Sequence, residues 1–547
     1  MLATTTSTGP VESRNDNSNT SNYDLACRAI AQELDEDNSS NSSSGITAGR
    51  AVAIMKKYSS EYRLDTLPKN KDVLKYLRSA RSKRLLMVKP AKTASGVAVV
   101  AVMPEPYDCP HGRCIYCPGG VEYNTPLSYT GTEPSTRAAQ KFNYDPFRQV
   151  QNKMDQLALR GHDTGKTELV IVGGTFPFMP AGYQRHFAKS CYDALNGSVS
   201  ESLEEAISKN QVALNRCVGF TVETKPDYCR QEHIDLMLEL GVTRVEIGVQ
   251  SLQENVYKLV NRGHSLQDVV DAFRTARESG YKIVAHMMPG LPGSSPEKDI
   301  EDFRQLFQNE AFMPDMLKIY PTLVLEGTGL YKMHADGRYR AYDDGDLVNV
   351  VAEAKKMVPR WVRIMRVQRE IESKDIVAGP RSGNFRQLVI QELARKGHKC
   401  NCIRCRETGL QKRYPDPSNV KLMRQDYMAS GGREVFLSYE ESGGETILGF
   451  LRLRKIGRMT HRKELEGSAV VRELHVYGQS VGIGMRDVVG ESYQHRGYGS
   501  KLLQEAENIA RSEMGVGKIV VISAVGTREY YRKQGYVQDG PYVSKVI

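Results

Sequence analysis

Apolar and polar positions change rhythm several times along this chain. From Gly96 to about Met365, short apolar runs alternate with longer stretches whose apolar residues recur every three or four positions. Val97–Met103, Leu169–Val172, Val218–Val222, Arg244–Val249, Ile283–Met288 and Met316–Tyr320 read as strands. Pro146–Arg160, Gln231–Leu240, Gln267–Gly280 and Pro296–Phe307 read as helices between them. Near-continuous apolar strands, most followed by a helix, predict parallel pairing through right-handed crossovers, hence a full or partial α/β barrel. In such a barrel the chemistry collects at the C-terminal ends of the strands.

The flanks differ. Residues 1–45 are rich in Ser, Thr and Asn and are expected to form a disordered tail, with a short helix at Leu25–Leu34 inside it. Residues 46–95 carry apolar positions such as Ile54, Met55, Leu74 and Leu77 that predict two or three short amphipathic helices. The barrel is assigned to 96–379 and an irregular, basic, cysteine-bearing linker to 380–430. An α+β domain is assigned to 431–547. It has four strand-like runs (including Thr446–Leu453 and Val470–Tyr477), a helix near Gly499–Glu513, a further strand and a short helix.

Charge sharpens this division. The 547 residues carry a formal +10, and the 43 residues from Arg50 to Lys92 hold 13 Lys/Arg against Glu61, Asp65 and Asp72, which is 13 − 3 = +10. The rest of the chain sums to zero. The segment is either a solvated basic face or a surface that tracks phosphates. The longest apolar run, Val97–Met103, is too short for a membrane helix. No charged region followed by an apolar one opens the chain, so a cytoplasmic location is expected. Ten cysteines in such a protein suggest metal or redox work rather than a disulfide scaffold.

Six of them cluster. Cys109, Cys114 and Cys117 follow the first predicted strand directly, and three thiolates without a fourth suit a [4Fe–4S] cluster with one iron open. Zinc held by these thiolates and a histidine is the alternative. Gly173 and Gly174 end the second strand, Glu223 the third and Gln250 the fourth. His286 to Gly293, including Met288, ends the fifth. Polar or glycine-rich residues at successive strand ends outline a ligand site. Cys400, Cys402 and Cys405 form the second set; a closed zinc site with His398 as nearest fourth ligand is preferred, with His461, His475, an auxiliary iron–sulfur cluster or free thiols as alternatives. In the C-terminal domain Gln494-His495-Arg496-Gly497-Tyr498-Gly499-Ser500 leads into a helix, where exposed N–H groups and the helix dipole favour a diphosphate.

These motifs carry two resemblances. The first cysteine set, with Tyr116-Cys117-Pro118-Gly119-Gly120 and the barrel behind it, resembles the radical S-adenosylmethionine (SAM) superfamily, although four residues rather than three separate its first two cysteines. The resemblance implies SAM on the open iron and a 5′-deoxyadenosyl radical. The C-terminal motif, the strand Glu473-Leu474-His475-Val476-Tyr477 and Tyr530-Tyr531 resemble the GNAT-type N-acetyltransferases. That implies acetyl-CoA, with diphosphate on Arg496–Ser500, pantetheine along Leu474–Val476 and Tyr531, or else Tyr530, near the thioester sulfur.

Together the two halves, from about Arg50 to Ile547, are similar to the family of the catalytic subunit of Elongator. Ser128-Tyr129-Thr130-Gly131-Thr132-Glu133-Pro134, Lys318-Ile319-Tyr320-Pro321-Thr322-Leu323 and Arg472-Glu473-Leu474-His475-Val476-Tyr477-Gly478 are the most specific stretches. The resemblance implies formation of 5-carboxymethyluridine at wobble U34 of tRNA, with both cofactors at one shared cleft. It also implies that Lys166 contacts acetyl-CoA; Lys318 and Tyr320, at a strand end, either hold the uridine or an anionic intermediate or serve only the structure. Elongator-like subunits or self-association are the expected partners. The rival readings are a protein lysine acetyltransferase, with Glu473 as general base, and a tRNA-binding scaffold.

Overall fold

A computed structural model of the chain describes residues 21–39, 46–458, 460–478 and 496–547. It divides into two compact units, one running to Lys89 and including Leu159–Gly161, the other holding Pro90–Ala158 and His162–Ile547.

The first unit is helical: Asn22–Ser39, Ala48–Glu61, Asn70–Val73 and Ala80–Leu86. Thr47 and Ser79 cap two of these helices by accepting backbone N–H bonds from Arg50 and from Arg81 and Ser82. The short basic helices expected from the apolar spacing are present. The tail expected to run to residue 45 is corrected over 22–39, where an 18-residue helix buries Cys27, Ile30, Ala31 and Leu34 against Ile54, Leu74 and Leu77. Those apolar residues recur at helical spacing, which outweighs the polar composition around them.

The second unit contains two large sheets. In chain order its first nine strands are β1 (Ala98–Val102), β2 (Lys166–Ile171), β3 (Arg216–Thr224), β4 (Arg244–Gln250), β5 (Lys282–Met287), β6 (Met316–Ile319), β7 (Val324–Leu325), β8 (Arg363–Arg366) and β9 (Ile376–Ala378). The first sheet is wholly parallel in the order β1-β2-β3-β4-β5-β6-β8, while β7 pairs with β9 alone. Its two edges do not meet, so it is a partial barrel. All six predicted strands are present; β8 is an unforeseen seventh.

The other strands are β10 (Val420–Ala429), β11 (Gly432–Glu441), β12 (Ile447–Lys455), β13 (Ala469–Val476), β14 (Lys518–Val521), β15 (Val537–Asp539) and β16 (Tyr542–Val546). They form the order β10-β11-β12-β13-β14-β16-β15, antiparallel except for β13 beside β14. That parallel pair is in register only from Ala469 to Val471, so β13 diverges from its neighbour over Arg472–Val476. The helix Tyr498–Ser512 lays Leu502, Leu503, Ala506 and Ile509 on this sheet. The linker assigned to 380–430 is corrected: it contains the helix Phe385–Arg395, packed on Asp344–Met357, and β10, so the second sheet begins at Val420.

The second sheet docks on the N-terminal ends of the barrel strands. Arg452, Arg454 and Arg472, all fully buried, pair with Glu278 ahead of β5 and Asp315 ahead of β6. Beside them Gly526 sits against the start of β3, where an added Cβ would lie 2.5 Å from the Arg216 side chain.

Candidate active site

The period-two alternation of each barrel strand sends every second residue inward. Glu168 and Val170, Thr221 and Glu223, Arg244 and Glu246, His286, and Lys318 with Tyr320 line one cavity of about 1010 Å³. Cys109, Cys114 and Cys117 line its C-terminal end, and Glu473, Leu474 and His475 of β13 with Tyr531 of the helix Arg528–Arg532 line the other. The six steps from Arg244 to Gln250 span about 20 Å at strand rise. Where one shared cleft was expected there is one lumen, with the three cysteines at one end and β13 at the other. Gly174, Glu223, Gln250, Met288, Lys318 and Tyr320 also line it; Gly173, Lys166, Val476, Tyr530 and Arg496–Ser500 do not.

At the cysteine end, Ser128 donates its backbone N–H to Cys117 Sγ at 3.1 Å, and Cys109 Sγ lies 3.9 Å from Thr175 Oγ1. Buried Arg262 donates to Cys114 Sγ (3.7 Å) and to the Gly248 carbonyl (2.6 Å). His111 bridges Cys114 Sγ (3.3 Å) and Lys225 Nζ (3.0 Å). The three thiols do not converge within 4.8 Å of one another, unlike the second cysteine set. One tetrahedral zinc would hold thiolates about 3.8 Å apart, so this wider set suits a polynuclear cluster. Gly173 and Gly174 have φ of 117° and 101°, and a Cβ on Gly174 would meet nothing, which leaves a cradle. Gln250 holds a left-handed φ of 72°, and its buried Oε1 lacks a partner among the described residues. An amino or hydroxyl donor of a ligand would satisfy it.

Mid-lumen, Glu246 accepts from Lys318 Nζ and pairs with His286 Nε2 at 2.8 Å, and Lys318 lies 3.7 Å from Glu223. Burial pushes the Lys318 ammonium down, but Glu246, then Tyr320 and Glu223, outweigh it and raise its pKa above the ordinary lysine value. A cation is thereby fixed beside the His286 and Tyr320 rings, whose centroids lie 5.4 Å apart. Glu246, Arg262 and Lys225 escaped the sequence reading. The two-residue spacing of Glu246, Gly248 and Gln250 on β4 was the available clue.

At the other end lie the acetyltransferase-like features. Gly497 caps the helix Tyr498–Ser512 with φ of 85°, and a Cβ on Gly499 would lie 3.0 Å from Tyr530 Oη. Tyr498 packs edge-on against Tyr439. Gln494 lies outside the described residues. Tyr531 is buried between Tyr530 and Tyr536, and burial raises its hydroxyl pKa, keeping the proton on. Glu473 Oε2 accepts from Arg452 at 2.8 Å; burial pushes its carboxyl up, and Arg452 and Lys282 hold it below the usual carboxylate range. His475 Nε2 bonds the Ser95 carbonyl at 2.9 Å. Lys166 opens β2 rather than preceding it, at the same end of the barrel, and burial pushes its ammonium down to about 8.

Cys400, Cys402 and Cys405 converge within 4.8 Å, the spacing of a single-ion site. His398 is not in that group. His461 and His475 are engaged with Asp235 and Ser95, and Lys355 Nζ, fully buried, donates to Cys405 Sγ at 3.7 Å.

Comparison with known proteins follows the same layout. Models of the Radical SAM superfamily match residues 106–307, the Radical_SAM C-terminal domain 314–395 and the Acetyltransferase (GNAT) family 404–536. The chain is 47% identical over 491 residues to a tRNA uridine(34) acetyltransferase of Methanocaldococcus infernus, covering 88% of this chain and 92% of that one. It is 46% identical over 506 residues to Elongator complex protein 3 of Homo sapiens (90% and 92%) and 44% over 538 residues to that of Saccharomyces cerevisiae (95% and 96%). The solved archaeal Methanocaldococcus infernus Elp3 with an N-terminal deletion superposes at a TM-score of 0.73 and 43% identity, covering 83% of this chain and 100% of that one.

Proposed function

The chain belongs to the Elongator complex protein 3 family, and on that premise we propose that it makes 5-carboxymethyluridine at wobble U34 of tRNA from acetyl-CoA. The observation that carries the reading is the single lumen reaching from three cysteine thiols to Leu474 and Tyr531.

Cys109, Cys114 and Cys117 would hold a [4Fe–4S] cluster, and Gly173, Gly174, Glu223, Gln250 and Met288 would surround SAM. When bound, this pair supplies one-electron chemistry at the open iron. Arg496–Ser500 would bind the diphosphate of acetyl-CoA, and the stretch Glu473–Val476, where β13 diverges from β14, would run along its pantetheine arm. Tyr531, protonated and packed, would position the thioester, with Tyr530 bracing the helix start at Gly499. Lys166 would meet acetyl-CoA from the barrel side. An acetyl group held at the second sheet would reach the cysteine end along the lumen, past Arg244 and Lys318. Lys318 and Tyr320 would stabilise negative charge there and hold the splayed-out uridine.

The basic segment 50–92 would bind the tRNA backbone, zinc would occupy Cys400, Cys402 and Cys405, and Elongator-like subunits or a second copy would be partners in the cytoplasm. No helix among the described residues is long and apolar enough to cross a membrane. The lysine acetyltransferase reading is disfavoured, because the base it requires, Glu473, is ion-paired with Arg452 and held below the usual carboxylate range.

The deciding experiment is anaerobic incubation of reconstituted protein with SAM, acetyl-CoA, reductant and tRNA, followed by nucleoside analysis. Carboxymethylated wobble uridine with 5′-deoxyadenosine is expected. SAM-independent protein acetylation with no modified uridine would overturn the reading.

A further inference from the structure

We propose that two copies of this chain join edge to edge through β10, pairing antiparallel about a two-fold axis at Gln425 to continue the second sheet. Among the described residues, β10 pairs only with β11, so the other side of this ten-residue strand is open. Leu422, Met423 and Met428 are 39%, 46% and 42% exposed and lie on both of its faces. A long edge strand with apolar side chains on both faces invites another strand; of its three charged residues Arg424 and Asp426 are bonded to each other, which leaves Lys421 as weak protection.

The identity of the partner follows from self-complementarity. When two copies of one strand continue a sheet about a perpendicular two-fold, facing residues must point to the same face. Because faces alternate with every residue, facing residues then share parity, and the axis must pass through a residue rather than between two. An axis at Arg424 would set Arg424 against itself and Leu422 against Asp426. An axis at Asp426 would set Asp426 against itself and Arg424 against Met428. The axis at Gln425 sets Arg424 against the second copy's Asp426 twice, and Leu422 against its Met428 twice. Met423 then meets Tyr427, Lys421 meets Ala429, and no like charges face each other. Opposite charges and apolar pairs at facing positions are what stabilise an antiparallel pair. Within one copy Arg424 and Asp426 already share a face, bonded to each other at 3.2 and 3.0 Å, with Arg424 also bonded to Glu513. The second copy would extend that charged row across the axis.

The test is the mass of the full chain by sedimentation velocity. The wild type is expected to dimerise. Arg424→Asp sets acid against acid, and Asp426→Arg sets base against base, so each variant alone should show a dissociation constant raised at least tenfold. Mixed in equal amounts they are complementary and should dimerise again. As a second measure, Gln425→Cys, the one position that faces itself, should give a disulfide-linked dimer on mild oxidation while the wild type does not. A monomeric wild type, a dimer indifferent to both charge reversals, or a mixture that stays monomeric would each overturn the proposal.

Discussion

Arg472 on β13 donates two hydrogen bonds to Asp315, at 2.7 and 2.6 Å, and neither side chain exposes any surface. The pair ties the acetyltransferase sheet to the entrance of β6, and it does not stand alone. Arg472 also bonds Glu434 at 2.9 Å, and Arg452 lies 3.6 Å from Asp315. Burying so many charges is costly, so the network fixes how the two sheets meet more than it adds net stability.

That balance makes a double substitution informative. Asp315→Leu alone strands buried arginines and should destabilise the protein by about 3–5 kcal/mol. The apolar double variant Asp315→Leu with Arg472→Met should recover much of the loss in urea unfolding. The sign with pH is also set. Burial pushes the Asp315 carboxyl up, but Arg472 and Arg452 outweigh it and hold it far below the usual range. Its contribution is therefore present above about pH 4, the unfolded value, and lost as pH falls toward the folded one. The deficit of Asp315→Asn should be largest at neutral pH and shrink on acidification; a deficit that grows instead would assign the stability elsewhere.

The helix start at Gly499 gives a prediction about cofactor binding. A methyl there meets Tyr530 Oη at 3.0 Å, so Gly499→Ala should displace the tyrosine or the helix and weaken acetyl-CoA binding severalfold by calorimetry. Adding Tyr530→Phe removes the clashing oxygen and should restore most of the affinity. No rescue would mean that the glycine is needed by the ligand itself.

The barrel strands were legible because each is an apolar run buried within the fold; β8, Arg363-Ile364-Met365-Arg366, was not, because its arginines interrupt any such run. Arg363 is accommodated by Glu407 and Tyr477, partners far away in sequence. β10 was hidden for the opposite reason: Lys421–Arg424 are exposed on both faces, and burial alternates only from Gln425, where Tyr427 stacks on Trp361 and Ala429 is buried. The cysteines and strand-end glycines declared the site by local spacing. The charges inside it, Glu246 with Lys318 and Arg262 with Cys114, become meaningful only when strands distant in the chain lie side by side.

The two cysteine sets should separate by metal content. Cys402→Ser breaks the set that converges within 4.8 Å and should abolish zinc binding while leaving the iron of reconstituted protein in place. Cys114→Ser should do the reverse, with loss of the cluster's visible absorption. Elemental analysis of both variants decides it, and zinc lost from Cys114→Ser but kept in Cys402→Ser would exchange the assignments.

The first unit separates its cations into two groups. Arg50 and Lys57, though exposed, pair with Glu33 and Asp37 of the N-terminal helix, whereas Lys71, Arg78, Arg81 and Lys83 are exposed and Lys75, also exposed, pairs only with Asp72 on its own surface turn. If the second group binds phosphates, replacing all five with Gln should weaken tRNA binding. The log–log salt slope should fall by about 0.9 for each phosphate no longer neutralised, as counterion release requires. Replacing Arg50 and Lys57 instead removes charges already neutralised and should change affinity little. Titrations at several salt concentrations compare the two variants directly, and unchanged affinity for the five-site variant at every salt concentration would remove the segment from the tRNA interface.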